Sequence, residues 1–151
     1  MNHLEDELQK LKESLSEMSY EVLGQVSKCI EALIKFDKEL AQDVIRHEKR
    51  INAFELRIDK DCETICTLQT PVAKDMRLVF ATLKSNTNLE RIGDYAEGIG
   101  TIVMKLHRPF NEELLMELQL DKMASTIQTM FTDVIAAHNS ESSEIARGVF
   151  I

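Results

Sequence analysis

The chain has 151 residues, 44% hydrophobic and 29% charged, with 26 acidic against 18 basic side chains and a formal net charge of −8. That length suits one domain with a substantial core, and the acidic excess argues against nonspecific nucleic-acid binding, which needs cations to displace phosphate counterions. No apolar run approaches the roughly 20 residues of a membrane-spanning helix. The opening MNHLEDELQK also lacks the apolar segment of a signal peptide, so the expected compartment is cytoplasmic.

Two prolines, five glycines and no tryptophan favour long helices over sheets. The first predicted helix runs from about Leu4 to Lys35, with Leu8, Leu11, Leu15, Met18, Val22, Val26, Cys29 and Leu33 stepping by three or four. Asp37 reads as the N-cap of a second helix, with Glu39 in its first turn. Val44, Ile51, Ile58 and Ile65 give that helix a seven-residue repeat supported by Leu40, Phe54 and Cys62, and it should end near Gln69. Cys62 and Cys66 lie one turn apart but among apolar positions, where free cysteine packs as a small hydrophobe.

Thr70-Pro71 predicts the start of the third helix, a hydroxyl cap followed by proline at the first helical position. It should reach about His107, with an apolar seam of Leu89, Ile92, Ala96, Ile99 and Val103. Gly93, Gly98 and Gly100 within it imply either close helix packing or room beside the backbone for a ligand or partner. Arg108-Pro109 should end this helix, and Asn111 should cap a fourth, with Glu112 and Glu113 at its positive end. After Asn139 a Ser-rich turn leads into a short segment, Glu144 to Ile151. Residues 30–45 and 135–150 align at a constant offset, matching Ile30 with Ile135, Ala32 with Ala137, Glu39 with Glu144, Ala41 with Ala146 and Val44 with Val149. A repeat of that kind implies one bundle followed by the start of another.

The chemistry concentrates in acids. On the third helix Glu90, Asp94 and Glu97 stack on one face at steps of four and three, and Asn86 extends the ladder one turn earlier. Each like-charge pair at that spacing costs roughly 0.2–0.5 kcal/mol, so a column without lysine in register calls for a counter-charge. A hard cation would supply it, since magnesium, manganese and iron accept carboxylate oxygen. The second helix carries its own column, Glu48, Asn52, Glu55 and Asp59, which flanks the apolar seam and should border a groove between helices. The third-helix column, by contrast, is expected nearly opposite its seam and therefore exposed. The competing reading is a solvated face neutralised by Arg57, Arg77 and Arg91. Asp75 has an explanation of its own, since an acid in a first turn complements the macrodipole. No Glu-x-x-His motif, Gly-rich phosphate loop, HExxH or recognisable catalytic triad is present, so no catalytic residue is expected.

LQTPVAKDMR at 68–77, LKSNTNLERIGDYAEGI at 83–99 and ALIKFDKELAQDVIRHEKRINAFELRID at 32–59 resemble the PhoU family of phosphate-uptake regulators, as does the opening MNHLEDELQKLKESL. The resemblance implies an all-α fold, an antiparallel three-helix bundle over residues 1–108 followed by an incomplete second bundle over 109–151. It implies acid-x-x-x-Asp motifs that hold metal, with Glu55, Asp59, Glu90 and Asp94 as ligands and Glu48, Asn52 and Asp75 in support. Iron, manganese, magnesium or zinc is the expected cofactor. Glu48 stands where the family usually has Asp, which keeps the acid but lengthens it. The implied function is negative regulation of phosphate-starvation signalling. Its partners would be the ATPase subunit of a phosphate ABC transporter and a sensor histidine kinase. The chain would be a homo-oligomer, expected as a dimer, peripheral to a membrane at most. A carboxylate-bridged metal-dependent enzyme or metal buffer is the alternative that the acids alone allow.

Overall fold

Apolar side chains at alternating steps of three and four give a helix one continuous stripe to bury, and three long segments of this chain have one. In a computed structural model that describes residues 3–150, they form α1 (His3–Lys35), α2 (Lys38–Leu68) and α3 (Ala73–Lys105). Three shorter helices follow, α4 (Glu112–Leu118), α5 (Leu120–Ser140) and α6 (Ser143–Gly148). There is no strand among the described residues, and no helix among them is long and apolar enough to cross a membrane. Ile151, the last residue of the expected closing segment, lies outside them.

The first three helices pack antiparallel in succession. Leu11, Leu15, Met18 and Val22 of α1 meet Ile51, Ile58, Cys62 and Ile65 of α2, with Val79 and Leu89 closing the core from α3. The expected heptad positions Val44, Ile51, Ile58 and Ile65 are all buried. Burial pushes the Cys29 thiol up to about 11 and that of Cys62 to about 12, which suits inert packing residues. Asp37 caps α2 by accepting a hydrogen bond from the Leu40 amide at 3.0 Å, and Asn111 caps α4 by accepting from Glu113 at 2.8 Å.

Three expectations need correction. The start of α3 falls after Thr70-Pro71, not on it: Thr70 has φ +44°, and Val72 takes the N-cap position without a side-chain cap. The fourth helix is broken at Gln119, whose φ of +50° separates α4 from α5. The seam of α3 runs through Val79, Thr82, Asn86, Leu89, Gly93, Ala96, Gly100 and Val103, whereas Ile92 and Ile99 are only partly buried. Glycines take two of these places, where α2 comes close enough to crowd a side chain. A Cβ on Gly93 would lie 3.2 Å from Ile51 Cγ2, and one on Gly100 would lie 3.1 Å from the Ala41 carbonyl oxygen. Gly98 has open space instead. The rotated seam brings Glu90, Asp94 and Glu97 from the expected outer face to the edge of the α2–α3 contact.

The internal repeat survives as geometry. Phe36 and its counterpart Glu141 both adopt left-handed φ, 54° and 53°. The amide of Asp37 donates to the Ala32 carbonyl at 2.9 Å, and that of Ser142 donates to Ala137 at 2.9 Å, each pair separated from the other by the same offset. These are Schellman-type endings followed at once by a side-chain N-cap, Asp37 for α2 and Ser142 for α6. Helix α5 lies on α1, buries Phe131 in the main core, and ties Asn139 to Ser16 at 3.1 Å.

Candidate metal centre

Glu48 sits in the second turn past the Ala41 contact with α3, and the missing side chain of Gly93 is what admits its carboxylate against that helix. A Cβ at Gly93 would stand 3.4 Å from Glu48 Oε2. Glu48 is 5% exposed, and neither of its carboxylate oxygens has a hydrogen-bond partner. Ligand atoms of Glu48, Glu90 and Asp94 lie within 4.8 Å of one another. Two carboxylates can share a hydrogen bond only through a proton, so an ionised trio has nothing to hold it together.

Ionisation is accordingly disfavoured. Burial above all, then the adjoining Asp94 and the charges of Glu97 and Glu90, push the Glu48 carboxyl up to about 8. Burial, with Asp94 and Glu55 beside it, raises Glu90 to about 6, and only Arg91 opposes. Glu55 is also raised, by burial first and then by Asp59 and Asp94. Among the described residues no ion pair reaches Glu48, Glu55, Asp59, Glu90, Asp94 or Glu97. Arg57 instead approaches Glu17 at 3.8 Å and lies over the Phe54 ring. The arginine-neutralised face is therefore not what these acids form.

A second lobe adjoins the first. The Asn86 amide donates to Asp59 Oδ1 and to the Glu55 carbonyl, each at 2.9 Å, while its own Oδ1 is buried without a partner. The two acid pairs thus share one groove between α2 and α3, and Asn86 positions the far pair. Of the supporting residues, Glu48 is the one that stands in the close trio with Glu90 and Asp94. Asn52 is exposed in the same helical column and makes none of these hydrogen bonds. Asp75 lies apart, eleven residues before Asn86 and so roughly 16 Å further along the axis. The spacing of acids identified the groove, but it could not single out Glu48, whose position depends on how α2 and α3 register.

The donor set is oxygen only. It fits a hard cation such as manganese, magnesium or iron better than zinc, which favours nitrogen and sulfur. The unpartnered oxygens of Glu48 and Asn86 are the atoms such an ion would satisfy.

The PhoU domain family matches residues 15–103. The chain belongs to the PhoU family. A Burkholderia relative, described as a phosphate-specific transport system accessory protein PhoU homolog, is 36% identical over 121 residues, covering 80% of this chain and 52% of its own length. A relative of the same description from Streptococcus pneumoniae is 32% identical over 136 residues, 90% of this chain and 62% of its own. The crystal structure of the phosphate transport system regulatory protein PhoU from Streptococcus pneumoniae superposes with a TM-score of 0.85 at 28% identity, over 97% of this chain and 68% of that one. The chain therefore spans between about half and three fifths of the length of these curated PhoU relatives.

Proposed function

We propose that this chain is a metal-binding accessory regulator of phosphate uptake that works by docking in the cytoplasm and restrains phosphate-starvation signalling. Its expected partners are the ATPase subunit of a phosphate ABC transporter and the sensor histidine kinase that reads phosphate supply. Membership of the PhoU family supports the regulatory part, since its relatives are described as accessory proteins of phosphate-specific transport systems. The observation that carries the metal part is Glu48, a buried carboxylate facing Glu90 and Asp94 with no counter-charge. Glu48, Glu90 and Asp94 would hold the ion, with Glu55, Asp59 and Asn86 beside them. When bound, the ion would supply the positive charge that lets these acids stay ionised together. The acids then tie α2 to α3 and present a groove of reduced negative charge to a partner.

Elemental analysis of purified protein beside a Glu90→Gln/Asp94→Asn variant tests the metal, and pull-down with the ATPase subunit tests the docking. Stoichiometric manganese, magnesium or iron in the wild type alone is expected. Background metal in both proteins would overturn the metal assignment, and absence of capture would overturn the docking assignment. Hydrolysis of phosphate esters lost in the same variant would instead favour the metal-enzyme alternative.

A further inference from the structure

Gly93 and Gly100 lie against α2, but Gly98 has nothing within 4 Å of where its Cβ would stand, so no packing among the described residues accounts for it. It sits on the outer face of α3, opposite the buried seam. Arg77, Lys84, Arg91, Gly98 and Lys105 recur on that face every seven residues, and all are exposed. Between them stand Phe80, Tyr95 and Ile102, which are 52%, 65% and 52% exposed. At 100° per residue these positions fall within about 80° of arc. None of the four cations takes part in an ion pair among the described residues, whereas Arg46, Arg50 and Arg57 of α2 each reach an acid. The acids of this stretch, Glu90, Asp94 and Glu97, all lie off the arc, toward α2. A strip with four positive charges and no negative one thus runs along a chain whose net charge is −8.

We propose that this strip of α3 is a docking surface for an acidic amphipathic helix of another protein. Charge sets the sign of the occupant, since four unpaired cations in a row attract carboxylates and steer them to this one face of an acidic chain. Spacing sets its shape. Seven residues are two helical turns, so a helix laid alongside α3 at a shallow angle meets successive cations with acids of its own seven-residue repeat. Its apolar side chains cover Phe80, Tyr95 and Ile102, and Gly98 lets the two backbones approach between the last two. An anionic bilayer would also attract the cations, but a flat surface would meet the exposed carboxylates of Asp94 beside the strip and Asp59 across the groove. A helix about 10 Å across reaches the strip without them. The docking needs no ion at Glu48 and does not depend on which proteins the regulatory reading names, so either can fail without the other.

The test is fluorescence anisotropy of a labelled synthetic helix of about 28 residues, the length of the strip, with Glu and Leu in a seven-residue repeat, titrated with the whole chain. A second peptide carries Gln in place of Glu. The acidic peptide should bind saturably, and its Gln counterpart at least about 10-fold more weakly. Lys84→Glu/Arg91→Glu should weaken the acidic peptide by about 100-fold. Lys28→Glu/Lys49→Glu makes the same change of net charge on exposed residues of α1 and α2, and should weaken it by less than about 3-fold. Gly98→Gln puts a better helix former into open space, so it should raise the thermal midpoint and yet weaken binding by about 10-fold. Absence of saturable binding, equal weakening by both charge-reversed variants, or binding to vesicles of anionic phospholipid in place of the peptide would overturn the assignment.

Discussion

Replacing Glu48 by Gln should make the metal-free protein more stable at alkaline pH and leave it unchanged in acid. The carboxyl titrates near 4.5 when free and at about 8 when folded. Its folded value is raised, so the folded state binds the proton more tightly than the unfolded one. The associated stability is complete below pH 4.5 and is lost progressively as pH rises through 8. At about 1.4 kcal/mol per tenfold change in proton affinity, the loss has a ceiling of about 5 kcal/mol. Asp94, on the water-facing side of the groove, lets solvent screen part of the repulsion, and we expect about 2–3 kcal/mol. Gln is nearly isosteric and carries no charge, so the variant escapes that penalty. Urea unfolding followed by circular dichroism in the presence of a chelator, at pH 5 and pH 9, measures the difference directly. The two proteins should differ by less than about 1 kcal/mol at pH 5, and at pH 9 the variant should require clearly more urea. Equal stability at pH 9 would refute the claim that Glu48 is buried without a counter-charge. Adding manganese at pH 8 should raise the wild-type midpoint and leave that of Glu48→Gln nearly in place.

Gly93→Ala forces a Cβ to within 3.2 Å of Ile51 and 3.4 Å of Glu48, and the overpacking should outweigh the gain in helix propensity by about 1 kcal/mol. Gly98→Ala meets open space and should stabilise by about 0.5–1 kcal/mol, so thermal melts of the pair should move in opposite directions. Asn86→Ala removes both hydrogen bonds that hold Asp59 and the Glu55 carbonyl and leaves a cavity in the seam. A loss of about 2–3 kcal/mol is expected in chemical unfolding, together with weaker metal uptake by calorimetry.

The three long helices were legible because their buried faces are written in large apolar side chains, as at Val44, Ile51, Ile58 and Ile65. Caps at Asp37 and Asn111 were legible because capping is chemistry between residues two or three apart. The seam of α3 was misplaced by about one residue because half of its contact with α2 is made by absent side chains, and glycine carries no hydrophobic signal. Thr70-Pro71 and Gln119 misled for a related reason. The first is a strong local start that the α2–α3 connection overrides, and the second is a break with neither proline nor glycine to announce it. The acid pairs Glu55/Asp59 and Glu90/Asp94 were found from spacing alone. The primacy of Glu48 and the holding role of Asn86 were not, because both follow from the depth to which α2 sinks against Gly93.

The two matched corners share one pattern of hydrogen bonds under different letters. A phenylalanine occupies the bend in one and a glutamate in the other, yet each keeps the same reversed backbone, the same long amide-to-carbonyl closure and an oxygen waiting to begin the next helix. Neither bend depends on the identity of the side chain it carries. A substitution at such a position can leave the corner's shape in place, because the main chain supplies the bonds that close it.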